Sequence, residues 1–420
     1  MAAQPEQASI LSFEEARHIV EEHALRVRPT GRELLGLLEA QTRVLAEPIY
    51  ADRDLPPFPR ATRDGYALHS SDLENVPQEL ELVGEIRAGG TPDSASLESG
   101  QAISIMTGAP VPPGADAVVM VEHTSRNGKR VHVAKRVTAG ENIVPAGAEG
   151  KRGDKVLASG TRVGYAEVAL AASVGRVRLL VYAKPRIAVL STGDEVVDID
   201  VPPAPNQIRN SNAYSLAAQI QAAGGTAILL PIAPDEPQRL RELLLEGLES
   251  DLLLVTGGVS MGKYDLVEQI LSELKAEFFF TGAQIQPGKP VVFGRVAYVT
   301  DTSVRDLSHK FFLGLPGNPI STMVTFELFA KPMIEMLSGM PLQKLRFTHA
   351  KLKSEIRTKT GLKRFLPAAL SGEFENSEVE LVRWQGSGDI GSLVRSNCFL
   401  VVSPDRERIG PGEWVPVLLR

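Results

Sequence analysis

Residues 186–195 read RIAVLSTGDE, residues 251–258 read DLLLVTGG, and residues 312–319 read FLGLPGNP. Each segment begins as an apolar strand and ends in a loop that contains glycine. Helical patterns lie between them, at residues 212–223 and 235–250. Because regular alternation of strand and helix is typical of a parallel sheet covered by helices, the pattern predicts a central three-layer α/β domain.

The three glycine-bearing loops, at residues 191–195, 256–262 and 315–319, are candidates for one binding site. In a doubly wound sheet, the loops at the carboxyl ends of the strands meet at one crevice, where free backbone amides and helix N-termini favour anions. A plain strand-to-helix turn explains any one loop equally well. Three such loops in one domain favour a site for a phosphorylated ligand.

The rest of the chain has a different pattern. Apolar residues spaced by three and four between residues 12 and 45 predict a pair of helices, and residues 160–175 predict another. Short β-rich runs with glycine and proline turns predict a small β-rich domain before residue 146 and a C-terminal β-barrel-like domain. The predicted domains are residues 1–50 with 147–180, 51–146, 181–340 and 341–420.

Composition excludes several classes of protein. The chain of 420 residues has a formal charge of −6 and no basic block, which argues against nucleic acid as the main ligand. No apolar run approaches the roughly 18 residues of a membrane span. The single cysteine, Cys398, excludes an internal disulfide, and residues 1–10 do not resemble a secretory signal, so we expect a cytoplasmic protein.

Residues 257–264 read GGVSMGKY and come close to the phosphate loop of nucleotide hydrolases. That loop requires Ser or Thr after the lysine to reach magnesium, and Tyr264 stands there instead. A P-loop ATPase is therefore disfavoured. The seven histidines lack metal-ligand spacing, and no hydrolytic triad motif is present.

Carboxylates beside the loops suggest a magnesium-assisted phosphate reaction, because Mg²⁺ prefers hard oxygen ligands. They are Asp194, Glu195, Asp235 and Asp265. The alternative is helix capping, because Asp235 with Gln238 and Asp265 with Glu268 have capping-box spacing. Lys289, in the turn at residues 286–290, is from its local sequence alone a solvated surface lysine.

Taken together, the motifs resemble those of the molybdopterin molybdenumtransferase family, which includes bacterial MoeA and the E domain of gephyrin. The resemblance covers nearly the full length. Its motifs occur in order at residues 63–67 (RDGYA), 87–89 (RAG), 105–112 (IMTGAPVP), 191–195 (STGDE), 211–212 (SN), 256–260 (TGGVS) with Asp265, 287–290 (PGKP) and 315–319 (LPGNP).

The resemblance implies a homodimer of four-domain subunits whose α/β domain is similar to the molybdopterin adenylyltransferases. It implies a transferase that takes adenylylated molybdopterin and molybdate, releases AMP and leaves molybdenum on the dithiolene sulfurs, supported by Mg²⁺. Transient contacts with a molybdopterin adenylyltransferase and with cofactor-accepting enzymes are also implied. Nothing in the sequence separates molybdenum from tungsten.

Carried over residue by residue, the resemblance implies three sets of site residues. The catalytic set is Asp64, Thr107, Glu195, Asp265 and Lys289. The substrate-binding set is Thr192, Gly193, Asn212, Gly257, Gly258, Ser260, Pro316, Gly317, Asn318 and Ser387. The metal set is Glu195, Asp235 and Asp265, which would share the magnesium and the pyrophosphate.

Three positions depart from the family pattern. Gln286 stands where some relatives carry lysine, Asn210 replaces an aspartate, and Glu149 is the nearest acidic match in residues 142–149. These departures concern individual ligand contacts and leave the family resemblance intact.

Two other functions stay open from the sequence. One is a non-catalytic scaffold similar to gephyrin. The sequence argues against it, because the residues before the first helix leave no room for a fused adenylyltransferase domain. The other is a molybdate- or pterin-binding protein without catalysis. The joint presence of Glu195, Asp235 and Asp265 argues against it, because a module that only binds an anion has no use for concentrated negative charge.

Overall fold

The computed structural model describes residues 10–90, 96–258, 266–299 and 307–420. The chain divides into two compact units. The first comprises residues 1–35, 42–46 and 180–420, and the second comprises residues 36–41 and 47–179.

The described chain starts with strand β1 (Ile10–Leu11), helix α1 (Phe13–Ala24) and strand β2 (Arg32–Gly36). Helix α1 begins with a capping box, in which Glu15 N donates to Ser12 Oγ and Ser12 N donates to the Glu15 carboxylate. The second helix that we predicted before residue 45 is wrong. Strand β2 lies there and pairs with residues 178–182, and Leu34 and Leu38 are 58% and 79% exposed instead of forming a buried face.

The second unit is built mainly from short strands. Its elements are β3 (Ile49–Tyr50), β4 (Arg60–Ala61), β5 (Gly65–Leu68), β6 (Gln78–Ile86), β7 (Gln101–Ile105), β8 (Ala117–Met120), β9 (Thr124–Asn127), β10 (Arg130–Val133), β11 (Ile143–Val144), β12 (Lys155–Leu157) and α2 (Tyr165–Ser173), with 3₁₀ turns at Ser70–Leu73 and Val121–His123. Its main sheet has the order β8-β5-β7-β6-β10-β9, with strands β6 and β7 parallel and the other pairs antiparallel. The β-rich part and the helix within residues 160–175 were both expected.

The central part of the first unit alternates strands and helices. Its elements are β13 (Arg178–Tyr182), β14 (Arg186–Ser191), β15 (Val196–Val197), β16 (Ile208–Arg209), α3 (Ser211–Ala222), β17 (Thr226–Leu229), α4 (Pro237–Leu248), β18 (Leu252–Thr256), α5 (Leu266–Glu273), β19 (Glu277–Phe280), β20 (Gly282–Ala283), β21 (Ile285–Gln286), β22 (Val292–Val299), β23 (Leu307–Leu315), α6 (Pro319–Thr325), a π-helical stretch (Phe326–Ala330) and α7 (Lys331–Leu337).

These elements form the predicted three-layer α/β domain. The sheet has the order β17-β14-β18-β23-β22-β19, in which the first four strands are parallel, β22 pairs antiparallel with β23, and β19 pairs antiparallel with β22. Side chains of β14 alternate between the faces: Ile187 and Val189 pack with α3, α6 and α7, whereas Ala188 and Leu190 pack with α4 and α5. Both faces are buried, as parallel sheets require.

The C-terminal part closes into a barrel. Its elements are β24 (Phe347–Leu352), β25 (Ile356–Arg357), β26 (Lys363–Ser371), β27 (Glu378–Leu381), α8 (Ile390–Val394), β28 (Cys398–Val402), β29 (Arg408–Ile409) and β30 (Trp414–Leu419), with a 3₁₀ turn at Phe374–Asn376. The strand order β26-β27-β24-β30-β28 is closed by a further pairing of β28 with β26. This confirms the predicted barrel-like fold.

In the parts of the chain that the structure describes, no helix has the length and apolar character needed to cross a membrane.

Candidate functional site

A cavity of about 390 Å³ opens where the parallel strands β14, β18 and β23 end, which is the edge of the sheet where the sequence predicted a site. All three glycine-bearing loops contribute to its wall. The described residues that line it are Ser191, Thr192, Glu195, Val196, Ile208, Arg209, Asn210, Ser211, Asn212, Thr256, Gly257, Gly258, Pro290, Pro316, Gly317, Asn318 and Pro319.

The loops approach one another closely, and at two positions only glycine fits. Gly257 and Gly258 have φ angles of +87° and +59°, in the left-handed region. A Cβ at Gly257 would lie 2.6 Å from the carbonyl oxygen of Thr192, and one at Gly258 would lie 2.8 Å from Thr192 Oγ1. On the other side, a Cβ at Gly317 would meet Gly257 Cα at 3.6 Å. Backbone contact between loops therefore defines the cavity wall.

The Asn212 amide joins two of these loops. Its Nδ2 donates to Thr256 Oγ1 at 3.0 Å and to the Gly317 carbonyl oxygen at 2.8 Å. Because a carbonyl oxygen can only accept, the contact with Gly317 fixes which end of the amide is nitrogen. Asn212 Oδ1 and Thr192 Oγ1 then remain buried without a hydrogen-bond partner among the described residues. Most buried polar atoms in proteins are paired, so both residues stand out.

Asn210, one of the three positions that depart from the expected family pattern, anchors the start of α3. Its Oδ1 accepts from Ala213 N at 3.1 Å, which makes it the N-cap, and from Ser191 Oγ at 3.0 Å. An amide oxygen can accept both bonds as a carboxylate would. Asn210 therefore caps the helix without placing a negative charge beside the cavity.

The acidic candidates Glu195 and Asp235 lie on two segments that are joined by hydrogen bonds. Gly193 N donates to the Ala233 carbonyl oxygen at 3.1 Å, and Asp235 N donates to Asp194 Oδ1 at 3.1 Å. Asp235 is not the N-cap of α4: the helix begins at Pro237 after Glu236, with no side-chain cap bond, so the capping-box alternative for Asp235 is wrong. Glu195 lines the cavity.

No cluster of three or more metal-ligating side chains occurs within the described residues. Two members of the expected magnesium set, Glu195 and Asp235, lie on the two tied segments. The third, Asp265, lies outside the described residues, as does Ser260. The carboxylate oxygens of Glu195 and Asp235 are suitable in kind for Mg²⁺, which takes few protein carboxylates and retains water ligands.

Lys289 and Ser387 lie next to residues of the cavity wall. Lys289 is exposed and directly precedes the lining residue Pro290, in a turn where Gly288 has a φ of +107°. The Ser387 carbonyl oxygen accepts from Ile320 N at 2.9 Å, one residue beyond the lining residue Pro319. The C-terminal part of the chain thus contacts the start of α6.

Comparison with known proteins agrees with this architecture. Residues 11–175 match the MoeA N-terminal region (domain I and II), residues 188–336 match a probable molybdopterin binding domain, and residues 349–419 match the MoeA C-terminal region (domain IV). The chain is 32% identical over 396 residues to the molybdopterin molybdenumtransferase of Haemophilus influenzae, covering 93% of this chain and 94% of that one. The chain belongs to the molybdopterin molybdenumtransferase family.

Further members of the family agree. The enzyme from Nostoc sp. is 37% identical over 313 residues, covering 73% of this chain and 70% of that one. The crystal structure of the molybdopterin biosynthesis MoeA protein from Pyrococcus horikoshii superimposes with a TM-score of 0.77 at 28% identity, covering 98% of this chain and 100% of that chain. The cavity lies within residues 188–336, the part that matches the probable molybdopterin binding domain.

The second unit of this molybdenumtransferase family member holds the remaining candidates. Asp64 precedes β5 and Thr107 follows β7, and these strands pair antiparallel with Gly65 opposite Ile105. Asp64 Oδ1 accepts from Thr107 N at 2.7 Å. The backbone hydrogen bond from Thr107, followed by its side chain, lowers the pKa of the exposed Asp64 carboxyl. Two residues distant in sequence are thereby brought into direct contact.

The structure also reveals lining residues that were not among the predicted site residues, although two of them lie in the predicted loops. Arg209 and Ile208 lie on the two-residue strand β16, which pairs in parallel with β15. Thr256 is the last residue of β18, and Ser191 is the last of β14. Thr256 and Ser191 could have been found from the sequence, because each stands at the end of a predicted strand. Arg209 had no such signal, because its strand follows a loop with no motif.

Proposed function

We propose that the cavity at the carboxyl edge of the sheet binds adenylylated molybdopterin, and that this chain releases AMP from it while transferring molybdenum from molybdate to the dithiolene sulfurs. As a member of its family, the chain is a molybdopterin molybdenumtransferase, a transferase of molybdenum cofactor biosynthesis. The proposal concerns which substrate form is used and where it binds.

The observation that carries the proposal is the glycine-walled cavity itself. Gly257, Gly258 and Gly317 line the cavity with backbone, beside the N-terminus of the twelve-residue helix α3, and the Gly257 N–H is already used, because it donates to the Leu315 carbonyl oxygen at 3.4 Å. Such an arrangement favours an anionic group. The buried, unpartnered acceptor Oδ1 of Asn212 suits a ligand with N–H donors, as both adenine and pterin have.

We further propose that Mg²⁺ binds between Glu195, Asp235 and Asp265. When bound, it would neutralise the charge of the pyrophosphate linkage. Glu195 and Asp235 support this because hydrogen bonds join their segments at the carboxyl ends of β14 and β17. Their own role is to present carboxylate oxygens beside the loop that would bind the phosphates.

The remaining candidates are proposed to complete the site. Lys289 would supply a point charge to an oxyanion, and Ser387 would contact the substrate from the C-terminal part of the chain. Asp64 and Thr107 are proposed to act in a homodimer, where they would close the site of the partner subunit. We also propose that the chain has four domains with the predicted bounds and acts in the cytoplasm. It would make transient contacts with the adenylyltransferase and with cofactor-accepting enzymes.

The decisive test measures AMP release from adenylylated molybdopterin with Mg²⁺ and molybdate each present or omitted. We expect release that depends on both, and a large loss in Glu195→Gln and Asp265→Ala. Arg186→Ala, at the opposite edge of the sheet, serves as the control and should retain activity. AMP release that is indifferent to molybdate, or none from the wild type, would contradict the proposal and favour a scaffold or a pterin-binding protein.

A further inference from the structure

Two opposite charges line the cavity without neutralising each other. Among the described lining residues, Glu195 and Arg209 are the charged ones. Strands β15 and β16 bring their backbones together, and Ile208 N donates to the Glu195 carbonyl oxygen at 2.8 Å. No ion pair joins the two side chains, and within the described chain no carboxylate lies at ion-pair distance from Arg209.

The Arg209 side chain is held in place without losing its charge. Its Nε donates to the Ile199 carbonyl oxygen at 3.0 Å. Its backbone is fixed by the parallel pairing of Arg209 with Val197. One of five guanidinium donors is therefore used for anchoring, and the four N–H groups on the two terminal nitrogens remain for a ligand.

Glu195 is directed elsewhere by its own loop. Gly193 has a φ of +124°, and a Cβ built on it would collide with the Glu195 carboxylate, so that carboxylate folds back over Gly193. This position of the Glu195 carboxylate agrees with a role beside Asp194 and Asp235, whose segments are joined by the hydrogen bond from Asp235 N to Asp194. The cavity thus has an acidic side at residues 193–195 and a separate cationic side at Arg209.

We propose that Arg209 is the residue that recognises the phosphate of the nucleotide part of the substrate. The inference deepens the proposed function and rests on it. A guanidinium anchored through Nε presents its remaining N–H groups as a planar fork, which matches two phosphate oxygens in a bidentate arrangement. Lysine cannot reproduce this arrangement, because its ammonium is a point charge on a flexible chain.

The test compares AMP and adenosine, which differ only in the phosphate, by titration calorimetry with the full chain. Wild type should bind AMP more tightly than adenosine. Arg209→Ala should weaken AMP binding by about tenfold or more, as expected for a lost charge-assisted hydrogen bond, and leave adenosine binding unchanged. Arg209→Lys should recover only part of the loss.

Arg186→Ala is the matched control, because Arg186 is exposed at the amino end of β14, at the opposite edge of the same sheet. It removes the same charge from the same domain and should leave AMP affinity unchanged. Equal weakening in both alanine variants, or unchanged AMP affinity in Arg209→Ala, would overturn the role of Arg209 while leaving the proposed function intact. Failure of the wild type to bind AMP would overturn the proposed function as well.

Discussion

Replacing Gly257 by alanine should disrupt the contact between loops that forms the cavity wall. Gly257 has a φ of +87°, where a side chain costs roughly 1–2 kcal/mol. The new Cβ would also lie 2.6 Å from the Thr192 carbonyl oxygen, which is backbone and cannot rotate away. Overpacking of this kind costs about 1–3 kcal/mol, so the variant should lose about 2–5 kcal/mol in total.

Gly412→Ala separates the two contributions. Gly412 has a φ of +82°, and a Cβ there would meet nothing within 4 Å. It should therefore lose only the conformational part, roughly 1–2 kcal/mol. Urea unfolding of both variants measures the difference, and AMP titration should show weakened binding in Gly257→Ala alone. Equal losses of stability in the two variants, with AMP affinity preserved in both, would refute the close approach of the loops.

Three further predictions concern single side chains. Asn210→Ala should lose about 1 kcal/mol of unfolding free energy as α3 loses its cap, whereas Asn210→Asp should retain it; equal thermal stability of Asn210→Ala and wild type would contradict this. Because the hydrogen bond from Thr107 lowers the pKa of Asp64, the stability from this contact should be fully present above the unfolded pKa of about 3.9 and be lost as pH falls through the lower folded value. An NMR titration of Asp64 checks this, and an ordinary Asp pKa would contradict it. Burial raises the pKa of Cys398 to about 11, so its thiol should react with a disulfide reagent at pH 8 only after unfolding, and rapid labelling of the folded protein would argue against its burial.

The α/β domain was predictable because its strands are short apolar runs that end in glycine loops. The predicted strand at residues 186–190 and helix at 212–223 correspond to β14 and α3 within one residue. A parallel sheet that is buried on both faces requires continuous apolar strands, which few other structures produce. Between residues 25 and 45 the apolar spacing predicted a helix that the chain does not form. There Leu34 and Leu38 have helical spacing, but the segment gains its hydrogen bonds from a distant strand.

The candidate site could be predicted only where a motif marks it. Glycines at strand ends marked the loops of Gly257 and Gly317, and at Gly257 a left-handed φ and a close backbone approach exclude other residues. Capping-box spacing was misleading for Asp235, where α4 instead begins with a proline two residues later. Arg209 reaches the cavity through pairing of two-residue strands, and such long-range pairing leaves no local signal in the sequence.

We propose that the glycine-walled cavity holds the nucleotide end of the substrate during molybdenum transfer. A crystal structure of the protein in complex with AMP and Mg²⁺ would show where the nucleotide binds. We expect a phosphate between the Gly257–Gly258 loop and the Arg209 guanidinium, with Mg²⁺ on the side of Glu195 and Asp235. AMP bound at another place, or an empty cavity at saturating AMP, would contradict it.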